Sequence, residues 1–204
     1  MSIYLLKPRF QALLRPAAGV LFRAGVTANQ VTLAACVVSV FLGAGLYALQ
    51  PAPWALVLLP IWLLLRMALN AVDGMLAREF GQASRLGALL NESTDVVSDS
   101  MLYLPFAAIA PFDPLWVGAV IVLAALSEFA GVLGQTIGAS RRCDGPMGKS
   151  DRALVFGALG LWLATGPALP AATAWLMPAL AGLIALTVWR RLRAALAEAA
   201  VPAA

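Results

Sequence analysis

The chain has 204 residues, 62% of them hydrophobic and only 12% charged, with 14 Lys and Arg against 10 Asp and Glu, and its mean hydropathy is +0.87. A soluble domain of this size is nearer half apolar and about a quarter charged, so the composition excludes an ordinary water-soluble protein. There is no histidine, which removes the commonest general base and most zinc sites together.

In chain order, Lys7, Arg9, Arg15 and Arg23 recur among Tyr4, Leu5, Leu6, Phe10, Leu13, Leu14 and Phe22. This mixture fits an amphipathic helix over residues 1–25, either lying on the membrane surface or packed as a cytoplasmic helix on the rest of the protein. Pro8 and Pro16 are expected to interrupt that helix or mark its start. The segment lacks the pattern of a cleaved signal. Residues 24–65 and 153–189 carry no charge. Each is too long for one span of roughly 20 residues and suits two. Turn-forming breaks at Gln50-Pro51-Ala52-Pro53 and Thr165-Gly166-Pro167 divide them. The predicted fold is all-α: an integral membrane bundle of six transmembrane helices over 28–49, 53–79, 84–110, 114–138, 150–166 and 168–192. These make one domain over 26–204 behind the N-terminal helix.

The basic residues orient the spans. Lys7, Arg9, Arg15 and Arg23 precede the first, and Arg78 and Arg85 lie between the second and third. Arg141, Arg142, Lys149 and Arg152 lie between the fourth and fifth, and Arg190, Arg191 and Arg193 end the sixth. Only Arg66 sits inside a span. The positive-inside rule then places both termini in the cytoplasm, in a multi-pass protein of a bacterial inner (cytoplasmic) membrane. The pI near 9.6 follows from this basic face and calls for anionic lipid or phosphate substrates. No nucleic-acid motif accompanies the charge, so nucleic acid is not an expected partner. Cys36 and Cys143 fall in an apolar span and a basic loop, which argues against a disulfide.

Ionisable groups inside a bilayer are costly and mark functional sites by default. Ionisable and other polar side chains concentrate in the second and third spans: Arg66, Asn70, Asp73 and Arg78, then Asn91, Glu92, Asp95 and Asp99. Helical periodicity puts Arg66, Asn70, Asp73 and Ala77 on one face, and Asn91, Asp95 and Asp99 on another. If the two spans lie side by side and antiparallel, Asn70 is level with Asp95 and Arg66 with Asp99. Oxygen-only clusters on facing helices suit a hard divalent cation. The competing reading is a set of buried hydrogen bonds joining two helices. Asp99 is expected to be the counter-charge of Arg66, with Glu128 as the rival partner.

From Asn70 to Asp95 the chain reads NAVDGMLAREFGQASRLGALLNESTD. This string resembles the CDP-alcohol phosphatidyltransferase family, whose pattern is D-x2-D-G-x2-A-R-x8-G-x3-D-x3-D. Every spacing is kept, and Asp73, Gly74, Ala77, Arg78, Gly87 and Asp95 match in type. Two positions depart: Asn70 and Asn91 stand where the family has aspartates, so two of four expected charges are missing. The resemblance implies transfer of a phosphoalcohol from a CDP-linked donor, lipid or smaller alcohol, to an acceptor hydroxyl with release of CMP. It also implies Mg2+ or Mn2+ and a homodimer in the membrane lipid.

On that resemblance, Asn70, Asp73, Asn91 and Asp95 are the metal ligands, with Glu92 and Asp99 as further candidates. Asp95 is the general base. Gly74, Ala77, Arg78 and Gly87 bind the nucleotide. In the loop from Arg141 to Arg152, Lys149 and Arg152 are the expected phosphate-binding residues, with Arg190 and Arg191 behind them. A plain positive-inside loop is the alternative. Gly131-x2-Gly134-x3-Gly138 and Gly157-x2-Gly160 permit close helix contact. Two other functions compete: an ion-coupled transporter, and a family member that has lost catalysis and serves as a membrane binding or scaffold protein.

Overall fold

The computed structural model describes residues 7–50 and 52–200. Seven α-helices carry the chain: α1 Lys7–Arg23, α2 Ala28–Leu49, α3 Leu58–Arg78, α4 Arg85–Tyr103, α5 Pro114–Leu133, α6 Lys149–Thr165 and α7 Leu176–Ala199. No strand occurs among the described residues. Four segments are long and apolar enough to cross a membrane: Ala28–Leu49, Pro53–Arg78, Pro114–Ile137 and Ala171–Ala199. Of the other two expected spans, α6 has only 17 residues, and α4 carries Asn91, Glu92, Asp95 and Asp99 within 19.

The helix starts follow local chemistry. Thr27 and Gln30 form a reciprocal cap on α2, Thr27 Oγ1 accepting from the Gln30 N–H and Gln30 Oε1 from the Thr27 N–H. Ser84 caps α4 at the Gly87 N–H, and Asp113 caps α5 ahead of Pro114 at the first helical position. At the first predicted break, Gln50 adopts a left-handed conformation that ends α2. Three expectations are corrected. Pro16 lies within an unbroken α1. The third span leaves α-helix at Tyr103 and continues as a 3-10 turn to Ala108. The last helix starts at Leu176, later than expected, after a 3-10 turn over Ala171–Trp175, and runs on to Ala199. Tyr4, Leu5 and Leu6 of the predicted N-terminal helix lie outside the described residues.

Packing follows size and polarity. The main core joins Leu59, Leu63, Tyr103, Phe106, Val117, Val120, Phe156 and Ile184 from α3 to α7, with Tyr103 stacked on Phe156 at 3.9 Å between ring centroids. Outward faces are apolar as well: Phe41, Leu64, Val122, Leu154 and Trp189 are exposed, as suits an apolar solvent. α1 buries Ala18 against Val31, Val72, Met75 and Leu76 while leaving Leu13, Val20 and Phe22 exposed. Thus it packs on the bundle and keeps a second apolar face free. Arg15 binds Glu79 through two hydrogen bonds of 2.8 and 3.0 Å, tying α1 to the end of α3. That bond holds the Glu79 carboxyl below its ordinary value.

Small residues are used for close approach within the chain. A Cβ on Gly43 of α2 would lie 2.0 Å from the Met101 carbonyl oxygen of α4, so only glycine fits there. The spacings at Gly131–Gly134 and Gly157–Gly160 serve likewise: Gly134 faces Ala195, and Gly160 faces Leu56, Leu59 and Pro60.

The expected side-by-side packing of the second and third spans is corrected. α4 packs on α2 and α5, and α3 on α1, α2 and α6, whereas α3 and α4 make little backbone contact. The two consecutive helices stand apart, and long polar side chains reach across the gap.

Candidate active site

That gap is the mouth of a cleft of about 1420 Å3. α3 lines it with Asn70, Asp73, Gly74, Ala77 and Arg78, and α4 with Gly87, Asn91, Glu92 and Asp95. The rest of the lining comes from α5, the loop before α6, α6 itself and α7, with Glu128, Arg141, Lys149 and Arg191. A helical period of 3.6 aims Asn70, Asp73 and Ala77 at the cleft from α3, and Gly87, Asn91 and Asp95 from α4. The motif residues therefore share one space, as the sequence expectation required of Asp73 and Asp95.

Three side chains converge on the Asp95 carboxylate. Its Oδ1 accepts from Arg66 at 3.0 Å and from the Asn70 side-chain amide at 3.2 Å. The same oxygen lies 2.5 Å from Lys149 Nζ, which reaches it from α6. Asp73 is held separately: its Oδ2 accepts from Thr32 Oγ1 at 2.7 Å, both side chains buried. Arg78 is exposed and its guanidinium lies over Gly74, where a Cβ would sit 2.5 Å from it. Gly87 leaves room for Asn29, whose Oδ1 would be 2.7 Å from a Cβ there.

Beneath the cleft runs a buried ion network. Arg66 pairs with Asp99 and Asp95. Asp99 also accepts from Arg152 at 3.2 Å, and Arg152 reaches Glu128 at 2.9 Å. Arg191 lies 3.5 Å from Glu128 and donates to the Ser127 carbonyl. Buried charges are costly unless each is matched, and here every member has at least one opposite charge. Asp99 is thus the partner of Arg66, and Glu128 serves Arg152 and Arg191. Arg152 is 1% exposed and lies below the cleft lining, in contrast to Lys149 on the wall. Glu92 lines the cleft and binds Arg141 at 2.8 Å. Arg190 is exposed and off the cleft.

The basic loop is clamped by Arg142, which donates to both Asp144 oxygens and to Glu198 of α7. Those bonds hold the Asp144 carboxyl below its ordinary value. Gly145 sits at a positive φ of 118°, and a Cβ there would meet Thr187 at 2.5 Å.

Sequence reasoning missed the contribution of α2. Asn29 and Thr32 line the cleft, and Gln82 Oε1 accepts from the Ala28 N–H at 2.7 Å to hold the start of α2 in place. The only signal was two polar side chains three residues apart near the end of an uncharged span.

Among the described residues, no three His, Cys, Asp or Glu side chains gather at metal-binding spacing. Asp73 and Asp95 nonetheless line the same cleft as Asn70 and Asn91, side chains that would offer a dication oxygen ligands and two balancing charges. The cationic Lys149 Nζ already at Asp95 marks the carboxylate as a place where positive charge is favourable.

Comparison with known proteins agrees with this geometry. The sequence profile of CDP-alcohol phosphatidyltransferase matches residues 25–195. The chain belongs to the CDP-alcohol phosphatidyltransferase family, which are divalent-metal-dependent enzymes. It is 50% identical to the inner membrane protein YnbA of Escherichia coli strain K12 over 167 residues, 82% of this chain and 83% of that one. It is 28% identical to the phosphatidylinositol phosphate synthase of Mycolicibacterium smegmatis, over 83% of this chain and 77% of that one. The fold matches Mycobacterium tuberculosis phosphatidylinositol phosphate synthase, PgsA1, with a TM-score of 0.73 at 24% identity. The match covers 93% of this chain and 92% of PgsA1 solved with manganese and citrate, or 97% of it with CDP-DAG bound.

Proposed function

We propose that this protein transfers a phosphoalcohol group from a CDP-linked donor to an acceptor hydroxyl and releases CMP, in phospholipid synthesis at the cytoplasmic membrane face. The observation that carries the reading is the convergence of Asp73 and Asp95, from helices that stand apart, on one cleft also lined by Gly74, Ala77, Arg78 and Gly87.

In this reading Asn70, Asp73, Asn91 and Asp95 hold a divalent cation, which supplies charge stabilisation for the departing CMP. Arg78 pairs with the donor phosphates, and its exposed guanidinium supports that role. Gly74, Ala77 and Gly87 keep the wall low enough for the nucleotide to lie against it. Thr32 fixes the Asp73 carboxylate, and Asn70 and Arg66 fix Asp95. Asp95 takes the proton of the acceptor hydroxyl as it attacks phosphorus. A carboxylate is a weak base toward an alcohol, so ordering of the hydroxyl beside Asp95 supplies most of the rate. Lys149 neutralises Asp95 until substrate arrives and then pairs with phosphate. Arg152 acts from below by holding Asp99 and Glu128.

The same reading has six spans over residues 26–204, both termini cytoplasmic, α1 at the membrane surface, and a homodimer in the bacterial inner membrane. The test is CMP release by purified protein from CDP-linked donors with Mn2+ or Mg2+ and a panel of alcohols. A second reading, a binding protein without turnover, draws support from the Lys149–Asp95 contact. CDP binding with no CMP release from any acceptor would favour it.

A further inference from the structure

We infer that Lys149 is a resident cation that a divalent metal displaces from Asp95, so that metal binding and release of the Lys149 ammonium into the cleft are one exchange. The inference rests on the transferase reading, in which Lys149 leaves Asp95 once substrate arrives, and names what releases it.

The contacts of one oxygen carry the argument. Asp95 Oδ1 takes the Arg66 guanidinium at 3.0 Å, the Asn70 amide at 3.2 Å and Lys149 Nζ at 2.5 Å. Two cations thus share one negative charge. The Asp95 side chain is only 14% exposed, so water screens little of what happens beside it. A dication added there would gather three cations on a single carboxylate, and like charges repel strongly in such surroundings. One resident has to leave.

Arg66 is held fast. Its side chain is 4% exposed, it pairs with Asp99 as well, and it donates to the Asp95 carbonyl. Lys149 differs on each count. Its side chain is 25% exposed, it stands at the first position of α6 on the cleft lining, and among the described residues its one ion pair is with Asp95. An ammonium on a flexible four-carbon stem can swing into the open cleft, where a buried guanidinium cannot follow.

The exchange also suits the altered motif. With Asn70 and Asn91 standing where the family has aspartates, Asp73 and Asp95 are the acids left at those positions to balance a dication. A lysine that stayed would cancel half of their charge. A lysine that leaves restores it, and in the metal-free protein the same lysine keeps Asp95 neutralised.

The tests read metal binding and not turnover. Lys7 and Lys149 are the only lysines, so amine labelling of the wild-type protein has an internal reference. In detergent and without nucleotide, acetylation of Lys149 by acetic anhydride, read by mass spectrometry, should rise as Mn2+ is added. The rise should follow the Mn2+ binding curve from electron paramagnetic resonance, with Lys7 unchanged. Lys149 labelling that stays flat or falls while Mn2+ binds overturns the inference and leaves the transferase reading standing. Lys149→Met should raise Mn2+ affinity at least about fivefold, the low end of couplings between ligands that oppose each other. Arg85→Gln removes the same charge from an exposed position off the cleft and should shift the affinity less than about twofold, because salt screens exposed charges. No rise in Lys149→Met, or an equal rise in Arg85→Gln, also overturns the inference. Absence of Mn2+ binding in both wild type and Lys149→Met would take the transferase reading down with it.

Discussion

Lys149 Nζ lies 2.5 Å from Asp95 Oδ1, so the helix that follows the basic loop places a positive charge on the carboxylate that ends the motif. Asp95 also gathers hydrogen bonds from Arg66 and Asn70 at the same oxygen. Asp95→Asn keeps the shape and the bonding volume but removes the charge and the basicity. The variant should melt near the wild-type temperature, still bind CDP, and lose activity by about a hundredfold or more, the usual weight of a general base. CMP release at wild-type rate would remove Asp95 from the mechanism.

Thr32 acts through Asp73. Its hydroxyl lies 2.7 Å from Asp73 Oδ2, closer than the 3.0 Å to the Ala28 carbonyl of its own helix. Thr32→Val preserves volume and should weaken Mn2+ binding about 10- to 100-fold, the usual effect of removing a group that orients a ligand. Mn2+ titration followed by electron paramagnetic resonance reads this without any turnover. Unchanged affinity would make the Thr32 bond purely structural.

Asp99 should behave differently. It sits between Arg66 and Arg152 in the buried network. Asp99→Ala leaves two buried guanidinium groups short of counter-charge, a loss of about 3–5 kcal/mol for a broken buried pair. Thermal stability in detergent should fall sharply, whereas Mn2+ affinity of the folded fraction should change little. A stable variant that no longer binds Mn2+ would reassign Asp99 as a ligand.

Gly43 tests the packing of α2 on α4. A methyl group placed 2.0 Å from the Met101 carbonyl oxygen must push the two backbones apart. Gly43→Ala should cost about 1–3 kcal/mol, as overpacking does. Because α2 carries Asn29 and Thr32 into the cleft, Mn2+ affinity should drop with it. Gly118→Ala, where a Cβ meets no atom within 4 Å, is the control and should leave both quantities unchanged.

The loop clamp sets an acid limit. Arg142 holds the Asp144 carboxyl below its ordinary value. A carboxyl held low in the folded state contributes stability above its unfolded pKa, near 3.9, and that contribution is lost as pH falls through the lower folded value. Protease resistance of the loop should therefore be flat from neutral pH down to about 4 and decline below it. Asp144 is partly exposed, so solvent screening keeps the effect under about 1 kcal/mol. Asp144→Asn should lower resistance at neutral pH and shrink the acid-side decline to what the Arg142–Glu198 pair contributes.

Much of this was legible in the residues. Charge-free runs gave the helices, and the turn at Gln50 fell where α2 ends. Periodicity put Asp73 and Asp95 in a common space and paired Arg66 with Asp99. What it did not give was the distance between α3 and α4. Spacing along a helix fixes which side chains share a face, but whether two neighbours in sequence touch depends on what else packs between them. Here α2 takes the place that α3 would have had against α4, by way of Gly43. The partners of Arg152 were hidden for a similar reason. A cation at the start of a helix after a basic loop reads as a phosphate ligand. Only the arrival of Asp99 and Glu128 from two other helices shows that its charge is already matched.

The ion network spans the chain from Arg66 to Arg191, and so ties the site to the order in which the protein is made. Asp99 and Glu128 are synthesised before Arg152 and Arg191. As the chain emerges from the ribosome, Asp99 and Glu128 therefore precede the arginine that joins them, and Arg152 of α6 supplies the first charge shared by both. A chain cut short before α7 would keep every residue of the motif and each of those ion pairs, and would lose from the network only the hold of Arg191 on Glu128 and on the Ser127 carbonyl.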